Sequence, residues 1–337
     1  MSLRERLLKN STLDRTRILS ESKVFEKKDF ITTPIAAINV ALSGSIDGGL
    51  APGLLQIAGE SKRFKSGFGL LLASTYLKKY KDGLVLFYDS EFGTPESYIK
   101  TFNIDQERVV HTPITNIEEL KHDIMTQINE LKDTDHVMIF IDSIGNLASK
   151  KEVDDALEGK SVADMTRAKQ LKSLFRMVTP HLTLKNIPLI VVNHVYSDMG
   201  FFPKDIVGGG QGAYLASNDI WIIGRQQEKE GNELSGYNFI INIEKSRFVK
   251  EKSKIPVSIS FKSGIDRNSA FFEWAIEGGY LLKPKKGTYQ IKGEEKEYKE
   301  NDLTSDTWKH LLKTTDLATF VKQKYTLAQE QILEDEL

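Results

Sequence analysis

The sequence predicts an α/β fold built on a mostly parallel central sheet flanked by helices. Three observations carry that expectation. From residue 31 to about residue 261, short apolar runs alternate with stretches of helical periodicity, the pattern of strand–helix–strand units. Two of the runs, residues 137–141 and 189–192, are apolar at every position, as a strand covered on both faces must be. The composition, 40% hydrophobic and 28% charged over 337 residues, suits a chain that buries a substantial core.

Residues 1–30 are polar, with Leu3, Leu7 and Leu8 at helical spacing. They read as a small helical arm that packs on something else, such as a neighbouring subunit; the alternative is a frayed leader. Residues 54–58 form the first strand, 68–80 a helix, and 84–88 a strand rich in β-formers. A helix follows at 117–131, then the apolar strand 137–141, a long helix at 163–184 and the apolar strand 189–192. Runs at 220–223, 239–243 and 257–261 extend the sheet, in part antiparallel. Past Gly264 the character changes, and residues 270–337 read as a small α+β lobe with a lysine-rich turn region and a short acidic tail, Glu334-Asp335-Glu336. The expected division is an arm (1–30), a core (31–269) and a C-terminal lobe (270–337).

Charge and composition exclude several classes. With 46 basic and 47 acidic residues the chain is not a uniformly basic nucleic-acid coat, although a local basic groove remains open. Without cysteine there is no disulfide framework, thiolate metal site or cysteine nucleophile. No run of about 18 apolar residues is present and the first 28 residues are charged throughout, so neither a membrane span nor a secretory signal is expected. The cytoplasm is the expected compartment.

The strongest motif is Gly59-Glu60-Ser61-Lys62-Arg63-Phe64-Lys65-Ser66, followed by Gly67. It follows a strand and opens a helix, the setting of a phosphate-binding loop. Loop amides would cradle phosphates, Lys65 would reach the β- and γ-phosphates, and Ser66 would ligate Mg²⁺. The pattern GxxxxGK[ST] asks for glycine where Phe64 stands. The alternative is a lysine-rich surface turn. A second element is Asp142, which ends the apolar strand 137–141 as a Mg²⁺-holding carboxylate would; the spacing suggests one intervening strand. Asp89 and Glu91 follow the strand 84–88, expected between the other two, and Glu91 is the candidate for positioning or deprotonating water. Asn193-His194 ends the strand 189–192, where a polar pair could sense a γ-phosphate.

Two further segments suit a phosphate backbone. In the helix 163–184, Lys169, Lys172 and Arg176 recur on one face, beside an expected core face of Ala168, Leu171, Phe175 and Val178. The segment 195–212 holds Phe201, Phe202 and Lys204 and the run Gly208, Gly209 and Gly210. Aromatics in such a loop can stack on bases, and the glycines permit left-handed backbone. A loop near residues 150–162 has no basic balance.

Together these residues resemble the RecA-type strand-exchange recombinases, closest to the UvsX-type branch of T4-like bacteriophages. The resemblance rests on residues 59–66, 87–93, 164–169 and 244–247, on Asn193-His194, on Gly208 to Gly210, and above all on the block FIDSIGNLASKK at 140–151. Phe at the degenerate glycine position is also characteristic of that branch. It implies a RecA-type P-loop ATPase core with ATP and Mg²⁺ as cofactors. Glu91 falls on the catalytic glutamate and Tyr98 on the aromatic that stacks on adenine. Asn193-His194 falls on the strand end where bacterial RecA couples the γ-phosphate to the second DNA loop through a glutamine. Lys245 and Arg247 fall on a basic pair that reaches a neighbour's ATP across the filament interface, and Lys169 and Arg176 on DNA-contacting positions. Single- and double-stranded DNA, a helical filament of copies of itself, a recombination mediator and a single-strand-binding protein are the implied partners. The compartment would be the bacterial host's cytoplasm if the gene is a phage's. The rival expectations are a ring-forming helicase of the same fold, a DNA-binding scaffold that uses ATP only as a ligand, and a small phosphotransferase.

Overall fold

The computed structural model describes residues 1–22, 30–160, 166–198 and 205–327. A nine-stranded sheet runs through the chain. Its strands are β1 (Gly53–Ala58), β2 (Leu84–Asp89), β3 (Val109–Pro113), β4 (Val137–Asp142), β5 (Pro188–Asn193), β8 (Asp219–Glu230), β9 (Glu233–Lys245), β10 (Lys254–Ser260) and β11 (Gly264–Ile265). A two-stranded hairpin, β6 (Val195–Ser197) and β7 (Asp205–Val207), stands outside it. The spatial order is β11-β10-β9-β8-β1-β5-β4-β2-β3. From β8 to β3 every neighbour is parallel, and from β8 to β11 every neighbour is antiparallel.

The helices in chain order are α1 (Leu3–Asn10), α2 (Ala36–Ser43), α3 (Lys65–Lys79), α4 (Glu96–Thr101), α5 (Ile117–Glu130), α6 (Lys150–Leu157), α7 (Thr166–Leu184), α8 (Gly210–Ala216), α9 (Phe271–Glu277), α10 (Ser305–Thr314) and α11 (Leu317–Tyr325). Two buried cores lie on the two faces of the sheet. One gathers α2, α3 and the C-terminal helices around Phe68, Trp221, Trp274 and Trp308. The other gathers α5 and α7 around Ile139, Val191 and Phe175. The C-terminal elements, with the small sheet β12 (Leu281–Lys285), β13 (Thr288–Ile291) and β14 (Glu297–Tyr298), therefore share a continuous core with the main body. The arm helix α1 has no buried residue, and Leu3 and Leu7 are more than 60% exposed.

Several expectations change. Two strands, not one, intervene in sequence between β1 and β4. The unexpected one, β3, is a short edge strand with half-exposed residues and a terminal proline, and it lacks the apolar run that marks a buried strand. The strand between β1 and β4 in space is β5, while β2 lies on the far side of β4. β8 and β9 run well past their apolar stretches as a polar ribbon. On α7, Ala168 is exposed and Leu174 and Leu182 join Leu171, Phe175 and Val178 in the core.

In an open parallel sheet, ligands bind beyond the carboxyl ends of the strands. β1, β2, β4 and β5 end there in Ala58, Asp89, Asp142 and Asn193, which gathers every motif of the presumptive phosphate site on one edge.

Candidate nucleotide site and DNA-facing elements

A cleft of about 560 Å³ opens at that edge, lined among others by Ser61, Lys62, Arg63, Phe64, Lys65, Ser66, Gly67, Glu91, Tyr98, Asp142 and His194. Gly59 and Glu60 are tied to it through Lys65, whose buried Nζ donates to the carbonyl oxygens of Gly59 (2.8 Å) and Glu60 (2.7 Å). Burial lowers the Lys65 pKa, opposed by the charges of Glu91 and Asp142. Arg63 pairs with Glu60 within the loop. The next helix, α3, starts at Lys65 and directs its free N-terminal amides at the cleft.

Phe64 sits where the loop turns left-handed, at φ 58°. A non-glycine residue pays roughly 1–2 kcal/mol for that conformation. Its ring offsets this by packing on Phe239 (centroids 5.5 Å, stacked), Phe68 (5.3 Å, edge-on) and Phe102 (6.2 Å). The displaced Gly67 has a matching reason: a Cβ there would lie 2.5 Å from the Phe64 ring.

The Asp142 carboxyl is fit to hold a cation. It is buried, accepts a hydrogen bond from the Ser66 hydroxyl, and leaves Oδ1 without a hydrogen-bond partner among the described residues. Desolvation raises its pKa to about 6, and the charges of Glu91 and Asp89 push the same way. An orphaned, charge-crowded oxygen beside a hydroxyl matches the hard oxygen donors that Mg²⁺ takes.

Glu91 is set by its neighbours. Its Oε1 accepts from the Ser143 hydroxyl (2.6 Å) and from His194 Nε2 (3.0 Å). Because a carboxylate only accepts, the His194 proton sits on Nε2. These bonds, led by the one from His194, hold the Glu91 pKa at about 2. Asp89 stands behind Glu91 in this loop. Its Oδ1 accepts from the amides of Glu91 (3.0 Å) and Phe92 (2.9 Å) and so shapes the loop that presents Glu91.

His194 also faces the second loop. Its carbonyl accepts from the Gly208 amide (2.9 Å), and Asn193 Nδ2 donates to the Gly208 carbonyl (2.8 Å). Asn193 Nδ2 also donates to Gln56 Oε1 (3.0 Å), and Gln56 Nε2 donates to Ser217 (2.7 Å). The buried polar chain thus ties β1, β5, the root of the loop and α8 together. Gly209 and Gly210 adopt φ of 87° and 72°, which explains glycine at both. Phe201, Phe202 and Lys204 lie outside the described residues, as does the acidic tail.

Lys169, Lys172 and Arg176 are exposed along α7. The helix is anchored at its start by Arg167, whose guanidinium donates to the carbonyls of Leu147 (2.8 Å), Ile144 (2.9 Å) and Gly145 (2.8 Å). Those carbonyls follow Asp142 closely in sequence, so the basic face is mounted on the segment leaving Asp142.

The RecA N-terminal domain family matches residues 16–266, and the chain is 45% identical over 336 residues to the recombination and repair protein of Enterobacteria phage T4, covering 96% of this chain and 86% of that one. The chain belongs to the RecA family. More distant RecA-family relatives include the protein RecA of Mesomycoplasma hyopneumoniae strain 7448, 24% identical over 262 residues (77% of this chain, 74% of that one). Another is the protein RecA of Malacoplasma penetrans, 24% identical over 280 residues (79% and 82%).

Within this RecA fold, Lys245 and Arg247 do not line the cleft of their own subunit. Lys245 pairs with Ile220 at the opposite end of β8 from the cleft. Its Nζ donates to the carbonyls of Tyr214 (2.9 Å) and Leu215 (3.2 Å) at the C-terminal end of α8, and Arg247 is exposed. Asp219 holds their turn, accepting from Ser246 Oγ (2.6 Å) and from the Arg247 amide. Desolvation raises the Asp219 pKa from 3.8 to about 6. The folded state then keeps a proton that the unfolded chain loses, so this carboxyl's contribution to stability falls as pH rises between those values. In Asp219→Asn that fall disappears, because the amide keeps an acceptor and carries no charge. Thermal melts of both proteins at pH 5 and pH 7 check this: the wild type loses more stability across the interval than the variant.

Residues that sequence reasoning missed are Ser143 as a Glu91 donor, Gln56 and Ser217 in the buried chain, Arg167, and the cleft wall of Arg225, Tyr237 and Phe261. Gln56 did leave a signal, as a polar residue inside an apolar strand.

Proposed function

We propose that the chain is a DNA-dependent ATPase that polymerises on single-stranded DNA and promotes homologous pairing and strand exchange in recombination, repair and recombination-dependent replication. The observation that carries this is the double attachment of His194: its ring donates to the candidate catalytic Glu91 and its backbone accepts from Gly208 at the root of the candidate DNA loop. A nucleotide-dependent movement of Glu91 is thereby transmitted to the loop without crossing solvent.

Lys65 leaves the carbonyls of Gly59 and Glu60 and pairs with the β- and γ-phosphates, and Tyr98 stacks on adenine. Ser66 and Asp142 would hold Mg²⁺, which would supply neutralisation of phosphate charge. Among the described residues, the side-chain hydrogen bonds to the Glu91 carboxylate fall on Oε1, which leaves Oε2 to orient the attacking water. A carboxylate this acidic is a poor resting proton store, so its work is orientation and charge. Lys245 and Arg247 complete the site of the next subunit, as an arginine finger does in trans. The exposed α1 supplies a non-closing contact between copies. A recombination mediator and a single-strand-binding protein are the further partners.

The test is ATP hydrolysis with and without single-stranded DNA, from low to high salt. Strong stimulation that salt abolishes supports the proposal, and hydrolysis indifferent to DNA overturns it. In the same series, Lys169→Ala and Arg176→Ala weaken binding to single strands of any sequence. Each lowers the slope of log affinity against log salt by about 0.7, the value for one lost phosphate contact.

A further inference from the structure

The aromatic groups around the phosphate loop form a continuous path to Tyr98. Tyr98 meets Phe102 edge-on, with centroids 5.3 Å apart. Phe102 lies 6.2 Å from Phe64, and Phe64 stacks on Phe239 at 5.5 Å. Tyr98, Phe64 and Phe239 all line the cleft. A glycine at position 64, as the general loop pattern has it, has no side chain and cannot join this path.

We propose that Phe64 is a specificity-determining residue that joins the phosphate loop to the base-holding wall, so that grip on the phosphates and occupancy by the base are set together. The assignment rests on Tyr98 stacking the base, as proposed above. Two features make the joint stiff. Phe64 fixes the loop at a left-handed φ of 58°, so its ring and the flanking amides move as one unit. The ring also occupies the space that a Cβ on Gly67 would need, with ring carbons 2.5–2.7 Å from that position. Because Phe68, Phe102 and Phe239 confine the ring, it cannot swing aside, and positions 64 and 67 form one steric pair. The discrimination that follows is between a nucleoside triphosphate and a bare polyphosphate.

The test compares Mg²⁺-dependent binding of ATP and of inorganic tripolyphosphate, by calorimetry on the full chain. Phe64→Gly lowers the ratio of ATP to tripolyphosphate affinity about three- to tenfold, the range set by one aromatic pair. Phe102→Leu, which cuts the path outside the loop, lowers the same ratio with tripolyphosphate affinity kept, and it decides the matter if the glycine variant fails to fold. Gly67→Ala weakens both ligands in the wild type but far less in Phe64→Gly, where the ring is gone. If Tyr98→Ala loses the preference for ATP while Phe64→Gly and Phe102→Leu keep it, the joint is refuted and the base site stands. If Tyr98→Ala keeps the preference, the base site and the joint fall together. Equal damage by Gly67→Ala in both backgrounds refutes the steric pair.

Discussion

Glu91→Gln lowers DNA-stimulated ATP hydrolysis by about 10²–10⁴-fold while ATP binding stays near the wild type. The amide keeps an oxygen for Ser143 and His194 but has no charge to orient water. Glu91→Ala removes the acceptor as well, and His194 Nε2 loses its partner at 3.0 Å. The two variants therefore separate on a second readout. Both lose turnover, but only the alanine variant loses the tightening of DNA binding that a non-hydrolysed ATP analogue produces. Steady-state hydrolysis and DNA binding with and without such an analogue check both halves. If alanine and glutamine behave alike in DNA binding, the His194 connection is not the route.

The second large effect belongs to Lys65. Lys65→Ala removes the buried cation that ties the loop through Gly59 and Glu60. It leaves the buried Gly59 carbonyl without that donor, at about 1–3 kcal/mol if water cannot reach it, and takes away the charge proposed to meet the phosphates. ATP binding, hydrolysis and nucleotide-dependent DNA binding are all lost, whereas Glu91→Gln spares the first. Lys65→Arg does not restore function, because a planar fork does not fit the pocket of a compact ammonium. Equilibrium nucleotide binding beside a thermal melt distinguishes loss of the ligand from loss of the fold.

Much of this site was legible because its residues sit at the ends of strands that announce themselves. An apolar run buried on both faces can only be a central strand, and the polar residue that stops it must lie at the sheet edge, which located Asp142 and Asn193. What escaped was set by space rather than by sequence. β3 carries few apolar residues because an edge strand has one solvent-facing side, so it left no run to find. The order of β1, β5, β4 and β2 cannot be read from spacing, and with it went the correct neighbour of each carboxylate. Ala168 fits a core pattern yet is exposed, since the buried stripe of α7 follows Leu174 instead. Phe64 contradicted a sequence pattern because that pattern describes a backbone torsion by the residue that adopts it most cheaply; the compensating Gly67 is three positions away and becomes intelligible only when the ring is seen above it.

The hydrogen bonds of Lys245 to the last carbonyls of α8 have a consequence for the whole assembly. That helix begins at the glycine run, whose other end is tied to His194 and so to Glu91 in the candidate nucleotide site. In the proposed filament, each subunit's candidate DNA segment would therefore stand between two messages, one from its own nucleotide site and one passed through Lys245 to the site next door. Such an arrangement has a direction. A hydrolysis event informs the subunit on one side before the other, so turnover would spread as a travelling front along the DNA and would be slowest at the end whose terminal site lacks a donor. Short filaments would then hydrolyse less ATP per subunit than long ones on the same strand.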